Sequence, residues 1–348
     1  MRYLFTLLAL LAIIQTEVYA QDPQFTQFYA APIYLNPAYT GANGNIRAAM
    51  NYRNQWPGSE AQSVTYLASY DQHFSFLRSS FGLLAKKDEQ YNGIGNTFSS
   101  TEVALSYAYK IEASETFSIQ PAIQAGYVIR DIDFNSFIFG DQITNNGFTA
   151  NPTAEQFPEE QIGYVDVSTG FLVFSDRMWF GVAVHHINEP EQSWLGGLDK
   201  LPMKTTAHFG FVIPTKRTRR RQPDLEDGTI IPVIQYKTQG RSDQLSLGVY
   251  GNFDPIVAGF WYRGLPVKRF DNTVSNNDAL AVLFGLYIKQ MTVAYSYDFT
   301  VSELAPITNG AHEISLTFDF KPKDDRKQPR RGYSGKRRRA PSPWKRIY

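Results

Sequence analysis

The sequence predicts an all-β fold: an outer-membrane antiparallel up-and-down β-barrel of about 14 strands, with an N-terminal arm and a basic C-terminal tail. Three observations lead there. Aromatic residues make up 15% of the 348-residue chain, charged residues only 19%, and cysteine is absent. No stretch after residue 20 is apolar long enough for a transmembrane helix. Period-two alternation runs for nine or more residues at a time. Ile314, Leu316, Phe318 and Phe320 alternate with Glu313, Ser315, Thr317 and Asp319. Met291, Val293, Tyr295, Tyr297 and Phe299 alternate with Thr292, Ala294, Ser296, Asp298 and Thr300. Tilted strands of that length cross an outer membrane, whereas strands of soluble sandwiches run nearer five or six residues.

Taken in order, residues 1–20 read as a signal peptide. Arg2 gives the charged start, Leu4 to Ile14 the apolar run, and Val18-Tyr19-Ala20 the cleavage site. No cysteine follows, so a lipoprotein anchor is ruled out and the exported chain has no disulfide to form. Residues 21–44 form an arm, dense in Gln, Asn, Pro and Tyr. Asp22-Pro23 predicts the start of a short helix, and Asn36-Pro37 a turn. Gly41 and Gly44 mark a bend. The arm's aromatics Phe25, Phe28, Tyr29, Tyr34 and Tyr39 exceed what an exposed segment carries, so the arm is expected to plug the periplasmic half of the lumen. Arg47 and Arg53 are then expected to meet Asp22 or the arm's carbonyls.

Alternation begins at Asn45. Ile46, Ala48, Met50 and Tyr52 fall on one face, and Arg47, Asn51 and Arg53 on the other. Fourteen such segments follow, near 45–54, 62–72, 79–88, 97–111, 116–131, 163–174, 179–188, 203–214, 229–238, 244–252, 256–264, 278–289, 291–300 and 311–320. An even number suits a single-chain barrel, here residues 45–320. Connections alternate as well. Tight ones lie at Ala113-Ser114, Ser175-Asp176, Phe253-Asp254 and Lys289-Gln290. Long ones run from Asp133 to Ile162, Asn188 to Leu201, Leu265 to Asn277 and Val301 to Gly310. Short turns belong in the periplasm and long loops outside, which puts both termini in the periplasm. The short turn at Gly240 and the long segment from Lys216 to Gly228 break the rule. That segment carries Lys216, Arg217, Arg219, Arg220 and Arg221. A charge run is ordinarily a solvated loop, and docking to an acidic periplasmic partner is the alternative. Residues 321–348, with Arg337, Arg338 and Arg339, cannot bury a core and read as a disordered periplasmic tail. The tail is a second candidate docking element.

Signs of catalysis are thin. His73, His185, His186, His208 and His312 show no zinc spacing, and His185 and His186 are expected to face opposite sides of a strand. Gly93-Ile94-Gly95 lacks the helix of a nucleotide fingerprint, and no nucleophile elbow or thiol exists. The sequence therefore predicts no enzyme, no metal and no cofactor. An exported chain without a recognition motif also has no nucleic-acid partner.

Three segments carry a family resemblance. Gln21-Asp22-Pro23-x-Phe25-Thr26-Gln27-Phe28 is followed by Asn36-Pro37-Ala38-Tyr39-x-Gly41 and by Tyr52-Arg53-Asn54-Gln55-Trp56. In this order and spacing they closely resemble the PorP/SprF family of type IX secretion and gliding motility in Bacteroidetes. Ala207-His208-Phe209-Gly210-Phe211, Gly259-Phe260-Trp261-Tyr262-Arg263 and Gly310-Ala311-His312-Glu313-Ile314 extend the match to Phe320. The resemblance implies an accessory outer-membrane barrel of the type IX apparatus. Its implied partners are the periplasmic lipoprotein ring, peptidoglycan-associated components and secreted surface proteins. Asp22, Pro23, Phe25, Gln27, Tyr34, Asn36, Pro37, Gly41, Arg53, Gln55 and Trp56 become candidate plug or partner-binding residues. The alternative is a channel or transporter for small solutes or hydrophobic compounds, with Glu102, Lys110, Gln120, Gln124 and Arg130 lining a water path.

Overall fold

The structure is a computed structural model that describes residues 22–93, 95–144, 147–148, 153–155, 160–194, 199–215, 228–270, 274–301 and 308–320. The basic residues 216–221 and 337–339, the signal segment and the tail lie outside these residues.

Fourteen antiparallel strands make the wall. They are β1 (Ile46–Gln55), β2 (Ser63–Phe74), β3 (Ser79–Tyr91), β4 (Asn96–Tyr109), β5 (Ser118–Ile132), β6 (Gln161–Phe174) and β7 (Met178–His185). The second half is β8 (Lys204–Phe211), β9 (Thr229–Gln239), β10 (Ser242–Phe253), β11 (Ile256–Phe270), β12 (Val274–Ile288), β13 (Met291–Thr300) and β14 (Ala311–Phe320). Two-residue strands at 111–112 and 213–214 extend the hairpins beside them. Each strand pairs with its neighbours in sequence, and β1 pairs with β14 from Ile46↔Phe320 to Gln55↔Ala311. The sheet is therefore closed and leaves no unpaired edge.

Alternation sorts the side chains as expected. In β4, Val103, Leu105 and Tyr107 are exposed while Ala104, Ser106 and Ala108 are buried. In β14, Ile314 and Phe320 face out while Glu313, Ser315 and Thr317 face in. The outside is apolar, as a lipid-facing wall requires, and the inside mixes polar residues with buried apolar ones such as Leu172, Trp179 and Trp261.

One mouth carries the start of β1, the end of β14 and the short turns 75–78, 175–177, 254–255 and 289–290. The other carries the long connections 133–160 and 186–203. Both expected exceptions are present: Gly240-Arg241 alone joins β9 to β10 at the long-loop mouth, and residues 212–228 join β8 to β9 at the other. The expected long connection from Leu265 to Asn277 is different. There β11 and β12 continue to Phe270 and from Val274, through register shifts after Arg263 and Leu265. Backbone ladders persist where side-chain alternation stops, because a bulge breaks the pattern without breaking the strand.

Candidate functional site: the arm inside the barrel

The barrel's core is its own N-terminal arm. From Phe25 to Asn43 every residue except Tyr34 is buried. Three short turns fold it: Phe28–Ala30, Pro32–Leu35 and Pro37–Tyr39. Pro32 and Pro37 open the second and third, where a missing N–H costs nothing. Asn36 caps the third, its Oδ1 accepting from Ala38 N–H at 2.8 Å. The expected helix at Asp22-Pro23 does not form, because wall residues take the Asp22 carboxylate that would have capped it.

At the short-turn mouth, Gly41 turns the arm at φ 63° and donates its N–H to Asp71 at 2.7 Å. A Cβ there would lie 2.4 Å from Ser80 Oγ, so both the conformation and the space call for glycine. Asn43 donates to Asp319 at 2.8 Å. Gln120 donates to the carbonyls of Ala38 and Thr40 at 3.0 and 2.8 Å.

Mid-barrel, Asn36 Nδ2 reaches the carbonyls of Phe171 and Val182 and the ring nitrogen Nε2 of His208. An amide NH2 only donates, so His208 Nε2 accepts, and its Nδ1–H faces the Tyr39 oxygen at 2.8 Å. The wall is hollowed for this side chain. A Cβ on Gly170 would sit 2.1 Å from Asn36 Oδ1, and one on Gly181 would meet His208 at 2.3 Å and Asn36 at 2.9 Å. Beside it Phe28, Tyr29, Tyr250 and Trp261 pack edge to face, with centroids 4.9 to 6.5 Å apart. Arg47 donates to the Tyr29 carbonyl at 2.8 Å, as expected.

Higher up, Thr26 and Gln27 rest in a charged cradle. Arg53 pairs with Asp298 at 2.7 Å and with Glu313 at 3.1 Å, and Arg263 pairs with Asp298 at 3.1 Å. Glu313 accepts the N–H groups of Thr26 and Gln27 at 2.7 and 3.0 Å, and the Thr26 hydroxyl donates to Asp298 at 2.8 Å. Two cations and two carboxylates balance, which is what keeps four buried charges affordable.

Asp22 ends the described arm. It lies at the long-loop mouth, not in the short-turn half where the plug was expected. Its carboxylate pairs with Lys204, and with His186 Nε2 at 2.9 Å. His186 Nδ1 meets Asp166 at 2.9 Å, and Asp22 N–H donates to Gln239 at 3.1 Å. Burial would raise the Asp22 carboxyl, but Lys204 and His186 outweigh it and hold the group well below the usual carboxylate range. Burial likewise disfavours the His186 cation, yet Asp22 and Asp166 push it up to about 9. His186 follows β7 with φ 58°, so it turns inward beside His185, whose ring faces the Leu35 carbonyl. The expectation that the two histidines face opposite ways fails because His186 leaves the strand.

The candidate residues therefore separate. Asp22, Pro23, Phe25, Gln27, Tyr34, Asn36, Pro37, Gly41 and Arg53 line one thread through the lumen. Gln55 ends β1 in the wall, and Trp56 is a turn residue at φ 56° bonded to the Gly310 carbonyl. Arg53 meets Thr26, not Asp22. Of the lumen residues expected to line a water path, Glu102 pairs with Lys86 at 2.7 Å, Lys110 sits over the Phe174 ring, Arg130 stacks on Trp194, and Gln120 holds the arm. Sequence reading missed Arg263, Asp298 and Glu313 as arm ligands, although each stands on an inward position of its strand. It also missed Lys204, which shares the inward face of β8 with Thr206 and His208, and His186, which lies past the alternation of β7.

Fold and site together define an outer-membrane β-barrel whose lumen is occupied by its own N-terminal segment. The model of the type IX secretion system membrane protein PorP/SprF family matches residues 17–318, and the chain belongs to that family. No curated protein matches it. Among solved structures it is similar to the Ralstonia pickettii toluene transporter TbuX, at 9% identity over 84% of this chain and 93% of that one, TM-score 0.46. The P. putida toluene transporter TodX matches at 10% identity over 82% and 93%, TM-score 0.43. The KdgM porin matches at 8% identity over 78% and 99%, TM-score 0.32.

Proposed function

We propose that this protein is a non-catalytic anchoring barrel of a type IX secretion or gliding apparatus. It holds periplasmic machinery to the outer membrane, or assists export and attachment of surface proteins. The observation behind this reading is the filled lumen: a barrel gripping its own arm through Asp71, His208, Glu313 and Lys204 is built as a platform. Family membership supplies the setting, and the short-turn mouth, with the basic 216–221 segment in its β8–β9 connection, is the side assigned to the periplasm. A solute-channel role would require the arm to leave.

Deleting residues 21–34 behind an intact signal peptide tests the proposal. The variant is expected to insert, to conduct more in planar bilayers than the full chain, and to lose export of dependent surface proteins. A full-length chain that conducts as freely as the deletion would favour the channel. Crosslinking in native membranes is expected to recover type IX components attached to the short-turn side.

A further inference from the structure

The arm leaves a space beside it. A cavity of about 50 Å³ lies between the arm and strands β8 to β11, in the long-loop half of the lumen. A water needs about 10–15 Å³ of such space, so there is room for roughly three or four waters or one organic molecule of about four to six heavy atoms. Strand register builds the wall side. Inward residues Thr206, Lys237 and Gln244 stand in one row, and Gln235, Ser246 and Arg263 in the next row down. Trp261, opposite Gly248, closes the row below. A Cβ on Gly248 would lie 2.1 Å from the Trp261 ring, so glycine gives that ring its place. The arm supplies the facing side with Phe25, Phe28, Ala31 and Leu35. One side of the cavity is therefore rich in donors, and the other is hydrocarbon.

The charges around it are unevenly paired. Lys204 holds Asp22, and Arg263 holds Asp298 at 3.1 Å. Asp278, at the rim, accepts from Gln244 at 2.9 Å and lies 3.7 Å from Arg263. Lys237 has no carboxylate in ion-pair contact among the described residues. Its ammonium meets the neutral Gln24 Oε1, which takes one of three N–H donors. The side chains of Gln235 and Ser246 have no hydrogen-bond partner among the described residues. The buried Trp261 indole N–H has none either. Donors left unmade inside a protein are costly, and a carboxylate accepts up to about four hydrogen bonds. Lys237 and Gln244 are half-buried beside the exposed Gly240-Arg241 turn, so the cavity communicates with the long-loop mouth.

We propose that this cavity is a binding site for a short-chain monocarboxylate. The carboxylate pairs with Lys237 and accepts from Gln235 and Ser246, while its hydrocarbon end lies against Phe25 and Phe28. A single unpaired ammonium matches a single negative charge. A phosphate would turn further oxygens toward two phenyl rings that donate nothing, and a long-chain fatty acid exceeds the space. Because Lys237 also holds Gln24, the bound acid ties the arm more firmly to the wall.

The test uses the full-length protein in detergent, titrated with propionate, with uncharged propionamide and with inorganic phosphate. Binding is read by saturation-transfer NMR on the ligand protons and by the thermal midpoint of the heat-modifiable form. Propionate is expected to show saturation transfer and to raise the midpoint. Propionamide should bind about tenfold more weakly, as expected for loss of a charged hydrogen bond, and phosphate should not displace propionate. Lys237→Met should weaken propionate binding by a similar factor, whereas Lys237→Arg should retain it. Ser246→Val, on a different strand, should weaken binding as well, and it decides the matter if Lys237→Met yields no heat-modifiable barrel. Absence of saturation transfer would mean that the cavity holds water only and would overturn the site. Equal binding of propionamide, displacement by phosphate, or undiminished binding in the Lys237→Met and Ser246→Val proteins would overturn it too.

Discussion

Gly170 and Gly181 show at single-residue scale how the wall is fitted to the arm: each lacks a side chain where Asn36 lies. Gly170→Val should displace Asn36 and its cap, at a cost of about 1–3 kcal/mol for overpacking. The thermal midpoint of the heat-modifiable form should drop and the arm should become protease-sensitive. Gly95→Ala, where a Cβ would meet nothing within 4 Å, should change neither; equal effects would show that space at Gly170 is not the constraint. His186 gives a pH signature. Its folded-state pKa of about 9 lies above the ordinary 6.5, so its stabilisation is complete below 6.5 and is lost as pH rises through 9. Asp22 shifts the other way, so its share is lost only on strong acidification. The thermal midpoint should therefore fall between pH 7 and 10. His186→Gln should start lower and change less across that window. Parallel curves for the two proteins would remove His186 as the cause.

At the scale of an element, each strand resolves two solvents. β4 sets Val103, Leu105 and Tyr107 against lipid and Glu102, Ser106 and Ala108 against the lumen. Leu105 is 67% exposed on the outer face. Leu105→Arg should cost about 2–4 kcal/mol if it lies near the bilayer midplane, read as less folded barrel in isolated outer membranes. Glu115→Arg, in a solvated turn, should leave the yield unchanged. The arm obeys other rules. It has neither a strand's period nor a helix's length, and its three turns are set by Pro32, Asn36 and Pro37, with Gly41 bending the chain after them. Its stability comes from wall partners, so its sequence reads as irregular.

For the whole molecule, the arrangement inverts a soluble core. Apolar area faces out to lipid, and inside the folded-back segment meets both polar wall groups and buried aromatics such as Phe174, Trp179, Tyr250 and Trp261. The ladder closes through β1 and β14 without help from the arm, and the Arg53, Arg263, Asp298 and Glu313 cluster is neutral by itself. This is why deletion of residues 21–34 is expected to leave an inserted but more conductive and less heat-stable barrel. Failure of that variant to insert would mean that the arm is needed for closure itself.

The sequence alone determined the strand count, the facing of the side chains, the two exceptional connections and the family. Each is a local pattern: alternation is fixed by the pleat, so β14 could be read from Ile314, Leu316, Phe318 and Phe320. It also placed Asn36-Pro37 and Gly41, whose turn chemistry is carried within a few residues. The direction of the arm was decided only in three dimensions. Nothing local to Asp22 tells whether its carboxylate caps a helix or crosses to Lys204 and His186, residues more than 160 positions away. The inward turn of His186 follows from a single positive φ that alternation cannot encode. Lumen partners are chosen by barrel closure, which brings Thr26 to Glu313 and Asn36 to His208 only after every strand has found its register.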